Sequence, residues 1–190
     1  MCTVVFAVGL FPGAPLVVAA NRDEALDRPA EPPRWRKHGR VRLLAPLDTR
    51  AQGTWLGLNE HQVFVAITNR FGGRPDPTRT SRGQLVLSAL QSSTASQAFE
   101  RMCEVDAKDY NGFHLIMADR HGAFIVWGDG EVSHREPLTA GWHVVTERSF
   151  DAAPTQREAL VRRLIQAWPD GGPSDEHLQG MLSHASEDGF

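Results

Sequence analysis

The start of the chain, MCTVVFAVGLFPGAPLVVAANRDE, constrains its fold more than any other stretch. Two apolar runs, Thr3–Gly9 and Leu16–Ala20, flank a Phe-Pro-Gly-Ala-Pro break. Apolar runs of this length, parted by a proline–glycine turn signal, predict a hairpin of two largely buried strands. A cysteine stands immediately before the first strand, and a polar cluster, Asn21-Arg22-Asp23-Glu24, ends the second. In an antiparallel pair the end of the second strand returns to the start of the first. Cys2 is therefore expected within a few residues' width of Arg22 and Asp23.

Cys2 also has the small side chain after which an initiator methionine is normally trimmed, which would make it the N-terminal residue. A free α-amine has a reference pKa of about 8 and is partly unprotonated near neutrality. It can take the proton of its own residue's thiol, so that one residue supplies nucleophile and base. The other reading of Cys2 is a small hydrophobe that begins a strand. A polar cluster folded back beside it favours the catalytic one.

Downstream, Gly53–Leu58 and Val63–Thr68 are β-rich and separated by Asn59-Glu60-His61-Gln62, a hairpin loop. The second of these strands ends in Thr68-Asn69-Arg70 and runs into Phe71-Gly72-Gly73. An asparagine there either supports a turn or offers an uncharged amide donor to a developing oxyanion.

Taken together, Met1-Cys2-Thr3, Asn21-Arg22-Asp23-Glu24, Gly53-Thr54-Trp55-Leu56-Gly57 and Thr68-Asn69-Arg70 resemble, in order and spacing, the NRDE family. That family includes the transport and Golgi organisation protein 2 homologues. The resemblance runs from residue 1 to roughly Ser183. It implies an N-terminal-nucleophile (Ntn) hydrolase-like fold of α+β class, in which two antiparallel sheets are sandwiched between helical layers. It further implies a hydrolase of a small amide or acyl compound, with Cys2 as nucleophile and its amine as base. Asp23 would hold the amine, Arg22 would orient the site or a substrate carboxylate, and Asn69 would donate to the oxyanion. Asn21, Trp55, Arg82 and Asn111 are substrate-binding candidates, the last because the family pattern also carries Asn-Gly-Phe at Asn111. The alternative is a non-enzymatic carrier of haem or acyl lipid that reuses the pocket, with Trp55, Phe71 and the Pro/Arg loop in contact. No cofactor is expected, haem being a ligand only under the carrier reading.

Three departures from the family pattern stand out. Ala20 occupies the place where related cysteine amidases usually carry an arginine. Thr146-Glu147-Arg148 puts an acid where Thr-Asn or Ser-Asn is common. The family also continues into last strands with an Arg-Ser-Ser segment, whereas this chain ends at Phe190. Either those strands are lacking or the sequence is a fragment.

At 190 residues the chain is expected to form one domain, 1–190, with a substantial core. A net charge of −3 gives no overall basic excess arguing for nucleic acid or an anionic membrane, and the partner that the resemblance implies is a small-molecule ligand or substrate. The two cysteines, Cys2 and Cys103, have neither metal-site spacing nor a disulfide pattern. Cys103 reads as a buried helix residue. No apolar run reaches eighteen residues and the start lacks a basic n-region, so the expectation is a soluble cytoplasmic protein of open oligomeric state. The histidines show no His-Glu-x-x-His pair, and no phosphate-binding glycine motif is present. A dyad of Cys2 with His61, His114 or His143 is not selected by spacing.

Between Glu24 and Gly53, the stretch Ala25–Arg50 carries three prolines within five residues, Pro29 to Pro33. That density excludes a helix or a central strand and predicts a long loop. It is either a rim beside the site, with Trp35 and the arginines meeting ligand, or a solvated crossover. Ser81-Arg82-Gly83-Gln84 and Thr94-Ala95-Ser96-Gln97 have capping-box form and open two helices, through Leu90 and about Cys103. Strands follow at Phe113–Asp119, Ala123–Gly128, Glu131–Glu136 and Trp142–Thr146, then helices at Thr155–Trp168 and, behind Ser174, at Asp175–Leu182.

Overall fold

The computed structural model describes residues 2–72, 75–148, 155–168 and 172–187. Met1, Gly73 and the proline–glycine stop at residues 169–171 lie outside the described residues. The N-terminal hairpin forms as expected: β1 (Thr3–Phe11) pairs antiparallel with β2 (Ala14–Asn21). The turn is Pro12-Gly13, where proline presets the first central φ and Gly13 adopts φ +80°, a type II arrangement that needs glycine in second place. A bulge between Val8 and Phe11 ends the regular ladder below that turn.

Six strands precede the first helix, two more than the sequence suggests. The stretch read as an irregular loop folds instead as β3 (Ala30–His38) against β4 (Val41–Asp48). Pro32 and Pro33 lie where the register shifts between Glu31 and Arg34, on a strand at the edge of its sheet. Prolines lack the ladder N–H, and an edge or a bulge is where a sheet accommodates that loss. The exclusion of a central strand therefore holds, while the loop does not. Trp35, 60% exposed on this edge, stands clear of the cavity described below.

Next come β5 (Leu56–Asn59) and β6 (Phe64–Asn69), then β7 (Phe113–Asp119), β8 (Gly122–Gly128) and β9 (Ser133–Leu138). Together with β3 and β4 they make one antiparallel sheet of seven strands in sequential order. A second sheet of three strands has the order β10–β1–β2, with β10 (Gly141–Val145) returning to the N-terminal hairpin. Strand alternation separates the two faces of β1. Val4, Phe6 and Val8 meet Phe64, Ala66, Ile116 and Ile125 between the sheets. Val5 points the other way and joins Ala19, Val144, Val161 and Met181.

Helices cover both outer faces. The seven-stranded sheet packs against α1 (Gly83–Ala89) and α2 (Ala95–Cys103) through Leu85, Val86, Leu90, Ala98 and Met102. The three-stranded sheet packs against α3 (Gln156–Gln166) and α4 (Asp175–Glu187). The result is an αββα sandwich of the Ntn type. Caps behave as read at two helices, those of Thr94 and Ser174, and Thr155, read as the first residue of its helix, is a third cap. Thr94 accepts from Gln97 N, Thr155 from Glu158 N and Ser174 from His177 N. At α1 the expected box is not made: Arg82 is the N-cap, in helical conformation with no side-chain cap bond. Its side chain is used elsewhere. Cys103 ends α2, half-buried. Among the described residues, no helix is long and apolar enough to cross a membrane.

Two ties hold α1 over the sheet. Buried Asn59 donates to the carbonyls of Leu90 and Ser92 and accepts from His61 N and Val63 N, clasping the β5–β6 hairpin to the helix end. At the other end Gly53 and Gly83 touch backbone to backbone. A Cβ on Gly53 would lie 3.0 Å from Gly83 Cα, and one on Gly83 would lie 3.0 Å from Thr54 N. Neither neighbour is a flexible tip, so the chains must part to admit a methyl. Gly83→Ala is expected to lower the chemical-denaturation midpoint, at a cost of about 1–3 kcal/mol. An unchanged midpoint would show that the approach is looser than described.

Candidate active site

Carrying the β1–β2 register on from Val4↔Ala20 and Thr3↔Asn21 brings Cys2 opposite Arg22. Carrying the β1–β10 register on from Val4↔Val145 brings Cys2 opposite Glu147. Val4, Ala20 and Val145 all pack between the sheets, and side chains two residues apart share a face. Continued past their last paired residues, the two registers would set Arg22, Cys2 and Glu147 side by side on the inner face of the small sheet, and the charges of both neighbours act on the thiol. The Cys2 thiol lies 3.8 Å from the Asp23 carbonyl oxygen, to which it donates. Asn21 fixes the corner, its Oδ1 accepting from Thr3 N at 2.7 Å.

Cys2 and Arg22, but not Glu147, line a cavity of about 490 Å³ at the ends of both sheets. Its walls include Cys2, Arg22 and Asp23 from the small sheet, Trp55 and Asn69 from the large one, and Arg82 ahead of α1. Arg22 crosses from one sheet to the other, its guanidinium 4.3 Å from the centroid of the Trp55 ring. Asp48 anchors the floor. Its carboxylate accepts from Arg28 Nε at 2.7 Å and from the backbone N–H groups of Arg50 and Ala51, with Arg22 at 3.7 Å. Against the desolvation that would raise it, these bonds from Ala51, Arg28 and Arg50 hold the Asp48 carboxyl below its ordinary range.

Arg82 differs from its neighbours. Arg22 pairs with Glu24 and Asp48, Arg28 with Asp48 and Glu24, and Arg79 with Asp76. Arg82 instead donates Nη1 to the Gly112 carbonyl at 2.9 Å and meets no carboxylate at ion-pairing distance among the described residues. Burial pulls its pKa down, and the facing Cys2 and Glu24 oppose that pull. A guanidinium has five N–H donors, so Arg82 keeps capacity for a ligand. Asn69 lies exposed on the wall, its side-chain amide engaged in no hydrogen bond among the described residues.

Of the catalytic and substrate-binding candidates all but Asn21 line this cavity, whereas Phe71 and Trp35, expected to meet ligand, do not. Asn111 lines it as a brace: its Oδ1 accepts from Asp76 N and its Nδ2 donates to the Asp76 carbonyl, both at 2.8 Å. The histidines weighed as partners of Cys2 do not line it. His114 is buried beside Thr68 Oγ1, His143 stacks on Phe6, and His61 sits in the β5–β6 loop. Sequence reasoning missed Asp48 and Arg79, and reached Arg28 only as one of the arginines of a rim beside the site. Asp48 and Arg28 belong to the stretch taken for a loop, and only the β3–β4 pairing brings them in. Among the described residues, no group of three or more His, Cys, Asp or Glu side chains could hold a metal ion.

Burial is the main cause that pushes the Cys2 thiol above its ordinary value, and Glu24 and Glu147 add to it while Arg22 opposes them. Thiolate is the alkylating form, so a raised pKa means little thiolate at neutrality. With Met1 retained, the iodoacetamide rate of Cys2 is expected to climb with pH through a midpoint above the usual thiol value of about 8.5. Exposing Cys2 as the first residue should shift that profile downward. A midpoint at or below the usual value with Met1 in place would contradict the electrostatics described here.

The family model for Transport and Golgi organisation 2 matches residues 1–189. The mouse (Mus musculus) Transport and Golgi organization 2 homolog is 35% identical over 108 residues, which is 55% of this chain and 38% of the mouse protein. The bovine (Bos taurus) homologue is 34% identical over 129 residues, 65% of this chain and 46% of its own length. Each match thus spans less than half of the relative. Among solved structures, the Caenorhabditis elegans N-acylethanolamine-hydrolyzing acid amidase ortholog superposes with a TM-score of 0.65 at 12% identity. The match covers 96% of this chain and 86% of that one, a likeness of fold. By the family match across nearly its whole length, the chain belongs to the Transport and Golgi organisation 2 family.

Proposed function

We propose that the protein is an N-terminal cysteine hydrolase of a small polar amide or related acyl compound. One observation carries the reading: Cys2, Asp23, Asn69 and Arg82, from four separate segments, converge on one cavity. Once Met1 is removed, the Cys2 thiol passes its proton to its own α-amine, which Asp23 holds. The thiolate adds to the substrate carbonyl carbon, and the oxyanion accepts from the Asn69 amide. Collapse breaks the C–N bond, and the ammonium returns the proton to the departing amine. Water, deprotonated by the same amine, then cleaves the thioester and frees the thiol. Arg22, tied to Glu24, Asp48 and Trp55, orients the wall, whereas Arg82, and the exposed Arg50 at the rim, are the arginines available to a substrate. The alternative, a carrier of haem or acyl lipid, would use the same cavity. Its walls carry five arginines and four carboxylates, which favours a polar ligand over an extended apolar one.

Both Cys2→Ala and Cys2→Ser are expected to lower turnover on an amide panel by on the order of a thousandfold or more, with thermal unfolding nearly unchanged. Retention of Met1 should abolish turnover equally, because an amide nitrogen is no base. Full activity in any of these three proteins would remove Cys2 from the chemistry.

A further inference from the structure

Glu147 is a buried acid without a counter-charge. It is 8% exposed, its Oε2 has no hydrogen-bond partner, and no ion pair reaches it among the described residues. A buried carboxylate in this state is costly unless something cationic or hydrogen-donating completes it. Its backbone is held in place, since the Glu147 carbonyl accepts from Phe71 N at 2.6 Å across the two sheets. The charge of Glu147 acts on the Cys2 thiol, and the β1–β10 register, continued from Val4↔Val145, leads to residue 2 opposite it. The missing partner is a donor at that residue.

We propose that Glu147 is a positioning residue that accepts a hydrogen bond from the α-ammonium of Cys2 after Met1 removal. The proposal rests on the reading of Cys2 as the first residue. An ammonium has three N–H donors, so it can serve Asp23 and Glu147 together. Two acceptors from different strands hold the amine in one orientation against its own thiol, which a single flexible contact would not. The step they support is balanced within residue 2: the Sγ–H bond breaks, an N–H bond forms, and ammonium faces thiolate.

Next to Glu147, Arg148 sets its guanidinium 3.7 Å from the centroid of the Phe71 ring, and the other charges acting on Cys2 come from two segments. Arg22, Asp23 and Glu24 come from the end of β2, and Arg82 comes from the start of α1. Arg28 stands beyond them, bonded to Asp48. Of these groups, Arg22 already has its carboxylate partners and Arg82 has its carbonyl. Neither arginine is ion-paired to Glu147 among the described residues.

The test uses full-length protein released by proteolysis so that Cys2 is the first residue, with its α-amine titrated by NMR through a ¹⁵N-labelled cysteine. A carboxylate beside an ammonium favours the charged form. The wild-type amine is therefore expected to titrate above the reference value of about 8, and Glu147→Gln to bring it down by about one pH unit. Glu147→Asp keeps the charge on a shorter arm and should fall between them. A wild-type amine at or below the reference value overturns the proposal without any variant. An unshifted amine in folded Glu147→Gln overturns it as well. The readout does not depend on turnover: with the shift present and no amide cleaved, Glu147 keeps this role and the hydrolase reading falls.

Discussion

The pairing of β1 with β2 on one side and β10 on the other is the constraint on which the site depends. Backbone hydrogen bonds set the two registers, and the pleat then decides which side chains share a face. With Val4, Phe6 and Val8 committed to the core between the sheets, Cys2 must look the same way. A slip of one residue in either ladder would turn the thiol toward the helical layer. The burial of Val5 against α3 and α4 on the opposite face makes such a slip expensive, because every apolar residue of β1 would change sides. Asn21 pins the register where it matters, through its bond to Thr3 N.

The far wall has a different origin. It is assembled where α1 starts, and α1 lies close over the sheet because Gly53 and Gly83 present no side chains to each other. Arg82 precedes that contact directly, which explains why it gives up the capping role its position suggests and directs its guanidinium to Gly112 and the cavity. Positive and negative charges are then distributed unevenly around the thiol. Arg22, Arg28 and Arg79 are tied to Glu24, Asp48 or Asp76, and among the described residues Arg82 meets no carboxylate and Glu147 no cation at ion-pairing distance. Buried charges lacking partners are rare in stable interiors and concentrate where a ligand or a reacting group completes them.

Much of this was legible in the residues. The N-terminal hairpin, the β5–β6 hairpin and the run from β7 to β10 announced themselves by apolar periodicity and turn signals. The convergence of Cys2 with Arg22 and Asp23 followed from antiparallel return alone. The β3–β4 hairpin was hidden because prolines at 32 and 33 argue against a strand, and only a bulged edge accommodates them. With that hairpin went Asp48 and Arg28, whose role depends on tertiary pairing and leaves no local signal. Glu147 was visible as an acid where relatives tend to carry an amide. Its burial and its place opposite the thiol could come only from the fold.

If Cys2 is a nucleophile, an acyl group must pass through its sulfur. Intact-mass and peptide mass spectrometry of Met1-free protein, quenched in acid during incubation with activated amides and acyl thioesters, would record that intermediate directly. An added acyl mass confined to Cys2, absent from Cys103 and from protein that retains Met1, is the expected result. Protein that stays unmodified at Cys2 across the panel while binding haem or an acyl lipid at micromolar concentration would contradict it, and would mark the cavity as a carrier's.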